Sequence, residues 1–277
     1  MTILVSNANG KVGHEVATAL LAAGQSVRIG ARAVDKAKAA FPGARIVELD
    51  FARPATLAAA VNGVDAVFSA TPYELLPKAE QELIAAAKLA SVERFVKLSA
   101  MGVEGDPSSP HMLAEKALEE SGLSWTVLRP TFFMQNYSTM MAASVRSGAI
   151  YEAAGDGATS FVDVRDIAAV ALAALTKPGH AGKIYTLTGP AALTRADVAA
   201  ALTQALGGKV TYVAVDDAAL RGAMAGAPPA LTELMSALYG AVRHGYTAHV
   251  GDDVAKATGR PPRDFAAFAA DHVAAWR

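Results

Sequence analysis

The chain has 277 residues, 52% of them hydrophobic and 18% charged, with a formal net charge of -1 and no cysteine. A chain of this length and composition buries a sizeable core, which excludes intrinsic disorder, and its near-neutral balance excludes general binding to a nucleic acid backbone. Without cysteine there are no disulfides, no thiolate chemistry and no cysteine-held iron–sulfur clusters.

Residues 2–6 (TILVS) read as a buried strand and 12–24 (VGHEVATALLAAG) as a helix, with Val12, Val16 and Leu20 along one face and Gly24 as its stop. The alternation continues with strands expected at 26–32, 44–49, 65–70, 94–100 and 124–130, and helices at 35–41, 54–61, 77–90 and 113–122. Pro54 opens one of these helices, in the first-turn position proline favours. Strands alternating with helices of this size imply right-handed crossovers and a parallel sheet, that is, a doubly wound α/β core of Rossmann type. After Pro130 the rhythm loosens. The sequence predicts a helix over 133–148, a short strand or loop followed by a helix over 160–175, a strand at 183–189, and a helix over 193–208 with Thr194 as N-cap and Asp197 completing a capping box. The remainder reads as mostly helical.

The opening "MTILVSN" has no basic leader region, and no apolar run is long enough to span a bilayer. A cytoplasmic setting, with no membrane and no nucleic acid partner, is the expectation.

Between the first strand and first helix lies "SNANGKVG" (6–13). A phosphate-binding turn needs backbone amides aimed at the anion, no obstructing side chains, and a helix N-terminus behind them. Gly10 permits close approach to a pyrophosphate, and Gly13 permits close helix–sheet packing. Asn7 stands where the tight-turn glycine is expected, and asparagine tolerates positive φ better than most residues. Asn9 adds a polar side chain able to reach a phosphate or ribose. A structural turn without ligand is the alternative. At the end of the second strand "GARAVDK" carries Arg32 and Lys36 in place of an acidic residue. Cations there suit a 2′-phosphate and favour NADP(H) over NAD(H), which stays possible; solvated surface charge is the other reading. Asp50, ending the third strand, can accept from an adenine amino group.

These residues, with "FVKLSAMG" (95–102), "AEKALEESGLSWTVLRPTFFMQN" (114–136), "FVDVRDIA" (161–168) and the tail over 237–262, resemble the NmrA-like group of atypical short-chain dehydrogenases/reductases. Within it the chain is similar to NAD(P)H:quinone oxidoreductases and triphenylmethane-dye reductases. The resemblance implies a cofactor-binding domain over 1–130 and a smaller α+β part over 131–277 that covers the substrate, with some of that stretch free to return to the core sheet. It implies a cofactor site formed by Asn7, Asn9, Gly10, Lys11, Val12 and Gly13 in the loop, Arg32 and Lys36, Asp50 and Phe51, and Ala70, Thr71, Pro72 and Pro130 at later strand ends. Asn7 departs from the group's usual glycine.

Ordinary members of the wider superfamily pair a tyrosine with a lysine four residues on, which passes a proton to or from the substrate. None of Tyr73, Tyr137, Tyr151, Tyr185, Tyr212, Tyr239 and Tyr246 has such a lysine. Around the expected helix, counting back from Lys116 places Met112 at the tyrosine position; the other register places His111 at the lysine position and Pro107 at the tyrosine position. Alcohol oxidation by the usual route is therefore not expected. Hydride transfer to an electron-poor aromatic acceptor, such as a quinone or cationic dye, needs orientation and a dry pocket instead. The expected pocket is Thr131, Phe132, Phe133, Met134, Asn136 and Tyr137, although aromatic and methionine clusters are also ordinary core. His111, as a proton or hydrogen-bond source, and Ser99 are the catalytic candidates; each could equally be structural. No metal site is expected, since His244 and His249 are five apart and do not share a helix face. Activated carbon–carbon double-bond reduction, and a non-catalytic NADP(H) sensor acting on a partner protein, remain as alternative functions. A monomer or homodimer acting on a small aromatic molecule is the expected assembly.

Overall fold

The computed structural model describes residues 1–277. In chain order its elements are β1 (Thr2–Val5), α1 (Lys11–Ala22), β2 (Ser26–Ala31), α2 (Val34–Ala40), β3 (Arg45–Glu48), α3 (Pro54–Val61), β4 (Ala66–Ser69), α4 (Lys78–Leu89), β5 (Arg94–Leu98), α5 (Pro110–Glu119) and β6 (Ser124–Pro130). There follow α6 (Gln135–Ser138), α7 (Ala142–Arg146), β7 (Ala149–Glu152), α8 (Val164–Thr176), β8 (Lys183–Leu187), α9 (Arg195–Leu206), β9 (Thr211–Ala214), α10 (Asp217–Ala223), α11 (Pro229–Arg243), α12 (Asp253–Thr258) and α13 (Phe265–Asp271). The chain forms two compact units, one of residues 1–130, 164–187 and 253–260, the other of 131–163, 188–252 and 261–277.

The first unit is built on a seven-stranded sheet in the order β3-β2-β1-β4-β5-β6-β8, parallel throughout. The doubly wound α/β expectation is borne out. Its central strands read as continuous apolar runs because helices cover both faces. Helices α1 and α8 pack together on one face, and α3, α4 and α5 follow one another on the other. On the α3–α5 side Leu4, Val67, Phe95 and Val127 from four neighbouring strands meet Leu57, Leu83, Ala87 and Leu118 in one buried cluster. Strand order runs outward in both directions from the β1/β4 pair. The carboxyl ends of these two strands therefore flank a crevice, the place where ligands bind in such sheets.

The second unit holds a two-stranded parallel sheet of β7 and β9. Its apolar core gathers Met134, Tyr137, Ile150, Phe161, Leu202, Phe265, Phe268 and Trp276. Tyr137 meets Phe265 edge-on at 5.4 Å, and the Trp276 indole donates to the Tyr137 carbonyl at 2.8 Å. A buried charge sits in the same unit. Arg195 donates through Nε to Glu152 at 3.0 Å and through Nη1 to Thr159 at 2.6 Å, and its guanidinium lies 4.8 Å from the Phe161 ring centre. The capping box expected of Thr194 and Asp197 opens α9.

One local expectation is corrected. The single helix expected over 133–148 is two short helices followed by a strand. The Ser138 and Thr139 hydroxyls both turn back onto the Gln135 carbonyl, at 3.3 and 2.7 Å, competing with the helical bonds at that point. The stretch after the α9 helix is mostly helical, as expected, and adds one strand, Thr211–Ala214, paired with Ala149–Glu152. Each strand has only four residues and its partner lies about sixty positions away, so local periodicity does not register it.

Phe95 is fully buried at the centre of the α3–α5 cluster. Phe95→Ala is expected to lower the unfolding free energy by about 3–5 kcal/mol, through lost transfer energy and the cavity left behind. Urea denaturation with an unchanged slope measures it.

Candidate active site

Strand β1 ends at Val5, and the chain turns through Asn7, whose φ is 50°. Asparagine is among the few non-glycine residues that hold this left-handed conformation. Its side chain adds a tether, since Nδ2 donates to the Ala70 carbonyl at 3.2 Å, while the Ala70 N–H donates to the Ser6 hydroxyl at 2.9 Å. The ends of β1 and β4 are thus cross-linked where the crevice opens. A Cβ on Gly13 would lie 2.4 Å from the Asn7 carbonyl oxygen, so only glycine lets α1 approach this closely. Gly10 is the N-cap of α1 and offers no side-chain cap. The first-turn amides keep their capacity for an anion. Lys11 begins the helix, its pKa lowered by burial, and Val12 is buried in the helix interface.

Beside this turn is a cleft of about 270 Å³ lined by Asn7, Asn9, Arg32, Lys36, Asp50 and Phe51, together with Pro72 and Glu74. Asn9 is oriented by its own chemistry. Nδ2 donates to the Ala33 carbonyl at 3.3 Å, and Oδ1 is left buried without a donor. Asp50 accepts from the Ala52 N–H at 3.0 Å and from Arg53 at 3.3 Å. Arg32 and Lys36 are exposed and enter no ion pair. A glycine-lined helix N-terminus, an orphaned amide acceptor and two unpaired cations fit the phosphates and ribose of an NADP-type dinucleotide. Ala70 and Thr71, both buried, continue from β4, and Thr71 lies 3.3 Å from the Ser69 hydroxyl.

The carboxyl ends of β5 and β6 carry groups of another kind. Ser99 is buried and its hydroxyl donates to Glu115 of α5. The same carboxylate receives Arg129 in a two-point contact, Nε at 3.2 Å and Nη2 at 2.6 Å, and Arg129 reaches Glu104 at 3.2 Å. The Ser99 proton is therefore engaged, leaving its oxygen as an acceptor. The Pro130 carbonyl accepts from the Met101 N–H at 2.9 Å. Two residues before Ser99, Lys97 and Glu80 form a fully buried ion pair at 2.6 Å. His111, at the start of α5, has its pKa pushed down to about 3, first by burial and then by the positive charge of Lys97. It is neutral at any physiological pH. Its ring lies 5.8 Å from that of Tyr73.

In the second unit the chain after β6 divides into two kinds of residue. Met134 and Tyr137 are core, and the Tyr137 hydroxyl donates to Glu152 at 2.6 Å. Burial, then Glu152, holds that phenol well above its ordinary pKa, so it gives up no proton. Thr131 is also buried, and its Oγ1 accepts from the Phe132 N–H at 2.6 Å. Phe133 makes a bridge to Val162, and the Phe133 carbonyl accepts from the Asn136 N–H. Phe132 is half-buried, 6.5 Å from both Phe161 and Tyr239. Sequence reasoning missed Glu80, Lys97, Glu115 and Arg129. The signal available was Lys97 and Arg129 inside largely apolar strands, "RFVKLSA" and "WTVLRP".

Comparison with known proteins gives the class. Residues 8–178 match the family described as NAD(P)H-binding. The chain is 42% identical to an NAD(P)H azoreductase of Xenophilus azovorans over 99% of both chains. Among solved structures it is similar to an Escherichia coli NADPH-dependent quinone oxidoreductase in complex with NADPH (27% identity, TM-score 0.85, covering 98% of this chain and 99% of that one). It is likewise similar to the triphenylmethane reductase of Citrobacter sp. (25% identity, TM-score 0.86, covering 99% and 100%). The chain belongs to the NAD(P)H-binding family, as its resemblance to the NmrA-like reductases implies, and is an NAD(P)H-dependent oxidoreductase. No helix is long and apolar enough to cross a membrane.

The depressed His111 pKa has a thermodynamic consequence. Unfolding restores the ordinary value of about 6.5, so the unfolded chain binds a proton that the folded chain does not. The contribution of His111 to stability is complete above that value and is lost as the pH falls towards 3. Unfolding free energies measured from about pH 7 to about pH 5 are expected to fall more steeply in the wild type than in His111→Gln. Equal slopes would refute the burial of a neutral ring.

Proposed function

We propose that this reductase takes NADPH as its preferred donor and transfers hydride directly to quinone-like or other electron-poor aromatic acceptors, without a tyrosine–lysine pair. The observation that carries the proposal is the shortage of proton donors at the carboxyl ends of β5 and β6. Ser99 already donates to Glu115, His111 is neutral, and Tyr73, whose ring lies against His111, has no hydrogen-bonded lysine. Such a site suits acceptors that need no proton from the protein: a cationic dye becomes neutral on taking hydride, and a quinone becomes a weakly basic anion that water protonates. The azoreductase, quinone oxidoreductase and dye reductase relatives are named for conjugated acceptors of this kind.

NADPH, when bound, supplies the hydride. The residues Asn7 to Gly13 would receive its pyrophosphate at the N-terminus of α1, Asn9 a ribose hydroxyl, and Arg32 with Lys36 the 2′-phosphate. Asp50 and Phe51 would border the adenine. Ala70, Thr71, Pro72 and Pro130 would border the nicotinamide end. Ser99 offers an acceptor lone pair and His111 a neutral hydrogen-bonding ring to the substrate.

Following loss of NADPH absorbance with a panel of quinones, azo dyes and triphenylmethane dyes is expected to show turnover on several of them. Tight NADPH binding with no turnover on any acceptor would overturn the proposal. Arg32→Asp is expected to weaken NADPH binding by about tenfold or more while leaving NADH within about threefold, because only the former carries the 2′-phosphate. Calorimetric titration with both nucleotides measures this, and equal losses would remove Arg32 from the phosphate site.

A further inference from the structure

The cofactor cleft holds a carboxylate without a partner. Glu74 sits on a single 3-10 turn, Tyr73–Leu75, that follows β4. The backbone of this turn is held by its own hydrogen bonds. The Leu75 N–H donates to the Pro72 carbonyl at 3.0 Å, and the Leu76 N–H donates to the Tyr73 carbonyl at 3.1 Å. Glu74 itself is exposed and enters no ion pair, although it lines one cleft with the free cations Arg32 and Lys36.

The lining of the cleft divides by chemistry. Arg32, Lys36 and the Asn9 amide suit phosphate and ribose oxygens. The remainder combines apolar groups, Leu49, Phe51, Pro72 and Leu75, with two carboxylates, Asp50 and Glu74. A flat heterocycle needs apolar contact on its faces and a few matched polar groups at its edge. Asp50 is fixed in place, because Oδ1 accepts from the Ala52 N–H at 3.0 Å and Oδ2 from Arg53 Nε at 3.3 Å. Each of those oxygens keeps a second lone pair. A carboxylate offers acceptors and no donor, so the two together present acceptors only to a base between the apolar groups. Adenine carries an exocyclic amino group with two N–H donors. A 6-oxo purine sets a carbonyl oxygen there instead, against negative charge.

We propose that Glu74 is a specificity-determining residue for the cofactor: with Asp50 it accepts the two N–H groups of the adenine amino group, and so selects an amino-bearing purine over a 6-oxo one. This rests on the proposed function in one respect, that the adenine lies beside Asp50 and Phe51. Asp50 is the pre-set half of the pair, and Glu74, tied to no other group, is the adaptable half. The negative charge of Glu74 also opposes the 2′-phosphate in the same cleft. That repulsion is the same whichever base the nucleotide carries, so the ratio of affinities for two bases isolates the contact with the amino group. A polar site built around a donor of its ligand discriminates against the analogue that lacks it.

Calorimetric titration with NADP⁺ and with nicotinamide hypoxanthine dinucleotide phosphate, which carries hypoxanthine in place of adenine, tests the inference without turnover. The wild type is expected to favour NADP⁺ by about thirtyfold or more, and Glu74→Ala to cut that preference by about fivefold or more. Glu74→Gln is expected to cut it as well, by strengthening the hypoxanthine form, because its amide turns an N–H to the 6-oxo oxygen. Glu74 is exposed, so neither replacement disturbs the core. A wild type that binds both nucleotides equally would overturn the inference alone. So would an unchanged preference in Glu74→Ala, which assigns the base to Asp50, including the case where both nucleotides tighten together through lost repulsion of the phosphate. Failure of the wild type to bind either nucleotide would defeat the proposed function, and this inference with it.

Discussion

The distance between the end of β1 and the first turn of α1 governs the cofactor cleft. With the Asn7 carbonyl 2.4 Å from where a Cβ on Gly13 would stand, there is no room for any side chain, and helix and strand are brought to backbone contact. That contact aims the uncapped amides of α1 along the crevice. It also requires the left-handed turn at residue 7. Glycine would adopt that turn with less strain, by roughly 1 kcal/mol. Asparagine offsets the strain with the hydrogen bond its side-chain amide donates to the Ala70 carbonyl, so the residue that departs from the usual glycine also ties β1 to β4.

A second constraint acts at the ends of β5 and β6, where charge is buried. Burying ion pairs is a poor way to gain stability, because desolvation consumes most of the Coulomb energy. Their effect here is orientation. Glu115 holds Ser99 and Arg129 at once, and Lys97 and Glu80 hold each other at 2.6 Å. Groups held this way do not have to reorganise when charge develops next to them, which is the property an active site needs.

The sheet and the glycine turn were legible because each has a local cause. Apolar runs alternating with helical periodicity give β1 to β6, and Gly10 and Gly13 give the turn. The unpaired state of Arg32 and Lys36 could not be read, but their place after β2 could. Tyr137 shows the opposite case. Its position after β6 resembles pocket lining, and only the remote Glu152, Phe161 and Phe265 reveal it as core. The strands β7 and β9 escaped for the same reason, since each exists only through a distant partner. Lys97 and Arg129 were visible as charges in apolar strands, yet the carboxylates that receive them lie on helices, at separations that no short motif spans.

The interleaving of the two units also bears on how the chain comes to be folded. Strand β6 is buried in the finished sheet, flanked by β5 and β8, but β8 begins only at Lys183. At ordinary ribosome speeds the roughly fifty residues between them take several seconds to emerge. Through that interval β6 presents an open edge of unpaired amides and carbonyls, a surface on which nascent chains pair with one another. The first unit is completed still later, by residues 253–260. Completion of the sheet is thus a late event in synthesis, set by the order of strands along the chain.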